Sequence, residues 1–169
     1  MRELLKLAKL LDPTRLVTFV VGGDPMKHPG FDEADIVCFN KYFSCDHISQ
    51  LDSAVYLPLA RDLALYRGSF PNKPIVMSEF GRQGIKNIHG DVSYSEEYQA
   101  AYIESMWKAL KENPTISGGI LWTWADYFHE LHFALKVSYA PYGVVTGDRK
   151  PKKSLEALAR MYGGSIPKK

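Results

Sequence analysis

Four short apolar runs constrain this chain more than any other feature. They are LVTFVV (16–21), DIVCF (35–39), PIVM (74–77) and GGILWTW (118–124). Three of them are apolar at consecutive positions and do not alternate, the pattern of strands covered on both faces. Helical patterns lie between and around them. RELLKLAKLL (2–11) has leucines at helical spacing and is ended by Pro13. SAVYLPLARDLALYRG (53–68) reads as helix with Pro58 at a first turn or a kink. The clearest helix spans 93–113, with Ser93 and Glu96 at capping-box spacing. Tyr98, Ala101, Tyr102, Ser105, Met106, Ala109 and Leu110 line one of its faces. A last helix over 152–164 has Pro151 in front and Gly163 behind.

Strands that alternate with helices imply parallel pairing and right-handed crossovers, hence an α/β fold. The order is one helix, four strand units and a final helix. The Gly/Pro-rich stretch 22–34 stands where a helix would otherwise be. With 169 residues and no linker, low-complexity segment or internal repeat, the chain reads as a single domain over 1–169.

The composition is 46% hydrophobic and 24% charged with a formal net charge of +2, which is ordinary for a globular chain. Basic residues are dispersed apart from RKPKK (149–153) and the two terminal lysines, and these read as solvated ends. Nothing here points to nucleic acid or a membrane surface as partner. LVTFVV is too short to span a bilayer and lacks signal-peptide flanks. Cys38 and Cys45 form no CxxC pattern and read as free thiols, which makes the cytoplasm the expected location.

In parallel α/β folds, ligands bind beyond the carboxyl ends of the strands. The second run ends in Asn40, Lys41 and Tyr42, the third in Glu79, and the fourth in Trp122, Trp124 and Asp126. Taken singly, a glutamate after a strand is a cap or surface charge, Asn40 a turn residue, and the tryptophans core. Together they place an amide, a phenol, a carboxylate and an indole on one rim. That set suits a polyhydroxylated ligand, whose apolar face stacks on a ring while its hydroxyls meet amide and carboxylate. A phenol beside a carboxylate also favours its ionised, nucleophilic form.

Competing motifs carry less. His129 and His132 in HELH lie on an expected loop or turn and lack the spacing of HExxH, so no metal is expected. VGGDP (21–25) has neither the spacing nor the following helix of a dinucleotide or phosphate loop, and no cofactor is expected. No GxSxG occurs.

DIVCFNKY, KPIVMSEFG, SEEYQAAYIESMW, GGILWTWADY and YGVVTGDRKPKKS occur in this order. As a set they resemble the C-terminal half of the catalytic barrel of glycoside hydrolase family 2, the family of β-galactosidases, β-glucuronidases and β-mannosidases. The resemblance implies strands five to eight of a (β/α)8 TIM barrel and a retaining glycosidase mechanism. It makes Glu79 the catalytic nucleophile and Tyr42 its hydrogen-bond partner in the family's Asn-x-Tyr, with Asn40. Trp122 lines the sugar subsite and Asp126 belongs to the same motif, so Asn40, Tyr42, Trp122 and Asp126 are the expected substrate-binding residues.

The chain departs from the family in three places. Phe43-Ser44-Cys45-Asp46 stands where many members carry Gly-Trp-Tyr. Ala140-Pro141-Tyr142 stands where β-glucuronidases carry the Asn-x-Lys that grips the sugar carboxylate, with Lys136 a partial echo of a nearby arginine. This favours a neutral β-hexoside, galactoside first. The family's acid/base glutamate lies in an Asn-Glu motif, and no Asn-Glu dipeptide occurs here. A full barrel takes about 250 residues. The expectation is a half-barrel contributing the nucleophile half of a β-glycosidase site and inactive alone. It would need the missing N-terminal half or self-associate through its open edges. The alternatives are a non-catalytic carbohydrate-binding or assembly module, and a four-stranded flavodoxin-like domain.

Overall fold

The computed structural model describes residues 1–131 and 135–163. Helix α1 (Arg2–Leu11) leads into strand β1 (Val20–Gly22) and then β2 (Val37–Asn40). Helix α2 (Leu57–Ser69), strand β3 (Ile75–Phe80), helix α3 (Glu96–Glu112) and strand β4 (Ile116–Leu121) follow. Strands β5 (Tyr127–Leu131) and β6 (Leu135–Ala140) precede the final helix α4 (Lys153–Met161). Strands β1 to β4 form one parallel sheet in sequential order, the α/β architecture expected. Between β1 and β2 a single turn of 3-10 helix (Pro25–Lys27) replaces a crossover helix.

One face of this sheet is packed. Val37 and Phe39 of β2 and Ile75, Met77 and Phe80 of β3 are fully buried. Above them sit Leu59, Leu63 and Tyr66 of α2 and Tyr98, Tyr102, Ile103 and Met106 of α3. Phe39 meets the edge of Tyr66 with ring centroids 5.1 Å apart. Each such side chain contributes about 1.5–3 kcal/mol by leaving water, which makes this layer the source of the fold's stability.

The opposite face is uncovered along its edge strands. Val20, Cys38, Val76 and Gly118 are register partners across the four strands and share that face. Val20 is 51% exposed and Ile120, two residues beyond Gly118, is 58% exposed. The consecutive apolar runs led us to expect cover on both faces, but among the described residues the helices lie on one. Strands β1 and β4 are the sheet's edges. Helix α1 is likewise amphipathic with its apolar side outward: Leu5 is buried, while Leu4, Leu7 and Leu11 are exposed. It is held by Arg2–Asp32 and Lys9–Asp35 ion pairs, both at 2.7 Å.

Several local expectations shift. The N-cap of α3 is Ser95, whose hydroxyl accepts from Tyr98 N–H at 3.0 Å, so the Ser93–Glu96 box does not form. Glu96 instead accepts from the N–H groups of Asn87 and Lys153 at 2.9 and 2.8 Å. Pro58 follows a π-helical turn (Asp52–Tyr56) that runs straight into α2, so it marks an irregularity inside a longer helical run. Gly163 follows α4 at φ +73°, the left-handed stop that glycine allows.

The segment read as a loop around HELH belongs to an antiparallel β5–β6 hairpin. Its signal was the period-two pattern of Leu135, Val137 and Tyr139. His132 lies outside the described residues, as do the side chains of His129 and Lys136. Cys38 and Cys45 are buried free thiols. Among the described residues no helix is long and apolar enough to cross a membrane.

Candidate active site

The carboxyl end of β3 places Glu79 through a break in strand regularity. Ile75 and Met77 point into the packed core, and strict alternation would send Glu79 there too. The register with β4 shifts between Met77 and Phe80, and that with β2 shifts between Phe39 and Asn40. Phe80 takes the core position and Glu79 emerges half-buried opposite Asn40. Irregularities of this kind re-aim a side chain at the end of a strand.

Tyr42, just beyond β2, donates its hydroxyl hydrogen bond to Glu79 Oε2 at 2.8 Å. Burial, reinforced by the neighbouring carboxylate, raises the Tyr42 pKa well above the usual phenol value, so it stays a protonated donor. Asn40 Oδ1 accepts from Ser78 Oγ at 2.8 Å, which leaves the amide its N–H donors for a ligand. Lys41 turns away and pairs with Asp62 at 2.8 Å.

Trp122 closes the next side of the rim. Its N–H donates to Phe80 O at 2.8 Å, and a Cβ on Gly81 would lie 2.1 Å from Trp122 O. Only glycine permits that approach of the two chain segments. The indole Nε1 donates to Tyr127 Oη at 3.1 Å, and the two rings are nearly perpendicular at 6.0 Å. Trp122 is thus braced at its edge and 37% exposed. The Trp122–Thr123 peptide is cis. Trp124 is 56% exposed.

Asp126 departs from its expected role as a substrate ligand. Its side chain and that of Lys152 have no exposed surface and pair at 2.6 Å. Gly143 N–H donates to Oδ1 at 2.8 Å, and the Tyr139 hydroxyl takes Oδ2. Burial pulls the Lys152 pKa down and Asp126 opposes that shift. Lys152 also donates to Gly84 O and Pro141 O. With both oxygens engaged inside the protein, Asp126 fastens the segments that carry the rim. Lys152 corrects a second expectation, because within the basic run read as solvated it is the buried member.

Residues that sequence reasoning left unassigned hold the rim's outer wall. Tyr98 donates to Cys45 O, and Tyr102 donates to Phe43 O at 3.1 Å while accepting from Phe43 N–H at 2.8 Å. Two phenols on one face of α3 therefore position the divergent stretch 43–45. The buried amide of Gln99 donates to Arg82 O at 2.9 Å, Gly143 O at 3.0 Å and Tyr142 O at 3.3 Å. Both tyrosines were legible as a helix stripe, but nothing in the stripe distinguishes a phenol with a polar task from core.

The site thus has a carboxylate held by a phenol, an amide and an exposed indole at the carboxyl ends of consecutive parallel strands. Comparison with known proteins agrees with this geometry. The TIM barrel domain profile of glycosyl hydrolases family 2 matches residues 1–165. The human β-glucuronidase is 30% identical over 158 residues, covering 91% of this chain and 24% of that protein. A β-glucuronidase of Streptococcus agalactiae serotype V is 28% identical over 166 residues, covering 94% of this chain and 27% of its own. Among solved structures, the β-D-glucuronidase of Dictyoglomus thermophilum superposes with a TM-score of 0.82 at 27% identity. It covers 98% of this chain and 28% of that one. The chain spans about a quarter of the length of these relatives.

Proposed function

Because the chain belongs to glycosyl hydrolases family 2 through that family's TIM barrel domain, we propose that it carries the nucleophile half of a retaining β-glycosidase site. The observation that carries this reading is the 2.8 Å hydrogen bond from Tyr42 to Glu79 at the ends of adjacent strands. Tyr42 fixes Oε2, leaving Oε1 to attack the anomeric carbon. The C1–O bond to the aglycone breaks as an acid protonates the departing oxygen. Water then attacks C1 of the glycosyl-enzyme, a base takes its proton, and the Glu79 carboxylate is released.

The second carboxyl group must stand about 5–5.5 Å from the first in a retaining enzyme. We assign it to the remainder of the barrel, whose strands would precede β1 and make β1 to β4 strands five to eight. The open sheet face and the outward leucines of α1 support this assignment, since a closed barrel leaves neither edges nor an uncovered interior. On the same grounds a chain without that remainder should associate with itself, and the non-catalytic binding module remains the alternative.

For the sugar we favour a β-glucuronide over the β-galactoside expected from residues 140–142. The relatives named above are all β-glucuronidases, at 27–30% identity.

The test is covalent labelling with a fluorinated β-glycoside bearing a dinitrophenolate leaving group, which needs little acid help. Peptide mapping should place the sugar on Glu79, and Glu79→Gln should abolish the label while leaving thermal stability within about 0.5 kcal/mol. A label on another residue would overturn the assignment.

A further inference from the structure

A glucuronide-binding site must neutralise the carboxylate at C5 of the sugar, and the family's Asn-x-Lys is replaced here by Ala140-Pro141-Tyr142. Resting on the nucleophile reading above, we propose that Arg82 supplies the missing cation and recognises a uronic acid carboxylate from the opposite side of the same cleft corner. Three observations place it there.

First, the backbone carbonyls of Arg82 and Tyr142 accept from the same buried amide of Gln99, at 2.9 and 3.3 Å. Gly84 N–H donates to Pro141 O at 2.8 Å, and Lys152 binds the carbonyls of Gly84 and Pro141 together. The segment after Glu79 is therefore stitched residue by residue to the segment where the family keeps its lysine. A cation lost from one is replaced by a cation on the other.

Second, the guanidinium lies against the tyrosines that hold the 43–45 wall. Its Cζ lies 5.8 Å from the centroid of the Tyr102 ring. Its charge and a hydrogen-bond contact act on the phenol of Tyr98, and its charge on that of Tyr142, lowering each against the upward pull of burial. Tyr142 in turn acts on Tyr42, the partner of Glu79. Arg82 thus lies against the 43–45 wall with its backbone beside that of Tyr142, three residues along the chain from Glu79.

Third, Arg82 is half-buried, yet no carboxylate among the described residues lies within ion-pair distance, whereas Lys152, Lys86 and Lys41 each have one. A permanently charged, planar guanidinium laid on an aromatic face offers a fork matched to a carboxylate. Tyr102 and Tyr98 donate their own hydroxyls to the backbone, and the contact of Arg82 with the Tyr98 hydroxyl uses only part of its five N–H donors, which leaves the others for a ligand.

The experiment compares two probes on the same preparation of the 169-residue chain. They are a dinitrophenyl fluoro-β-glucuronide and the matching fluoro-β-glucoside, which differ by one carboxylate. Intact mass gives the rate of Glu79 labelling by each, and their ratio does not depend on how much of a preparation is folded. The native chain should label about tenfold or more faster with the glucuronide, the scale of a charge-assisted hydrogen bond. Arg82→Gln should bring the ratio near one, and Arg82→Lys should retain part of the preference. A native ratio near one, a preference that survives Arg82→Gln, or a Lys variant no better than Gln would overturn the role of Arg82 while leaving Glu79 labelled. No labelling of Glu79 by either probe would instead overturn the nucleophile reading, and this proposal with it.

Discussion

Glu79 and Asp126 are both carboxylates just beyond hydrophobic runs, yet the structure uses them in opposite ways. Glu79 is half-buried and held at one oxygen by Tyr42, with no partner for the other among the described residues. Asp126 has no exposed side-chain surface, and Lys152, Gly143 and Tyr139 take both of its oxygens. A carboxylate with spare capacity at a rim can react. One whose lone pairs are satisfied inside the protein can only hold other groups in place. Burial and the number of partners decide the role, and residue type does not.

That contrast breaks most visibly at the buried pair. Lys152→Met should destabilise the domain by about 3–5 kcal/mol, because Asp126 is left charged and unpaired. Chemical denaturation monitored by tryptophan fluorescence measures it. Pairing it with Asp126→Leu should recover only part of the loss, since Gly143 N–H and the carbonyls of Gly84 and Pro141 lose their partners. Full recovery in the double variant would reduce Asp126 to a counter-ion.

On the other side, Tyr42→Phe removes the one side-chain hydrogen bond to Glu79 among the described residues and should barely touch stability. Labelling of Glu79 should slow by about 10–100-fold, the equivalent of a charge-assisted bond of about 1.5–3 kcal/mol. A variant that labels at the native rate would show that the strand break alone aims the carboxylate.

The smallest effect sharpens the comparison with a third acid. Glu97, in the first turn of α3, has its pKa lowered to about 2, chiefly by its bond to Lys153 and further by His89 and Gly90 N–H. A folded-state pKa below the ordinary value of 4.5 means that this stabilisation is present above about 4.5 and lost as pH falls towards 2. Melting temperature should decline across that window, and Glu97→Gln should flatten the decline. With Lys153 53% exposed, solvent screens the pair, and the shift should be small.

The parallel α/β architecture was legible because burial writes itself into composition: covered strands need consecutive apolar residues, and helices need apolar residues at helical spacing. The family motifs were legible for a related reason, since Asn40, Tyr42, Glu79 and Trp122 lie at strand ends whose order along the chain is their order around the rim. The β5–β6 hairpin was missed because its alternation is short and interrupted at HELH.

Other features had no sequence signal of their own. Lys152 stands in RKPKK among four other residues, three of them basic, and only packing shows that it alone is buried. Arg82 reads as an ordinary loop arginine until Gln99 brings its backbone beside Tyr142, 60 residues away. The residues themselves determined which strands could be buried and which chemical groups stand at their ends, because both follow from local hydrophobicity and chain order. Tertiary structure decided which carboxylate stays at the rim, which lysine gives up its water, and which arginine is brought beside Tyr142. Those outcomes depend on desolvation and on partners that meet only when distant segments pack together.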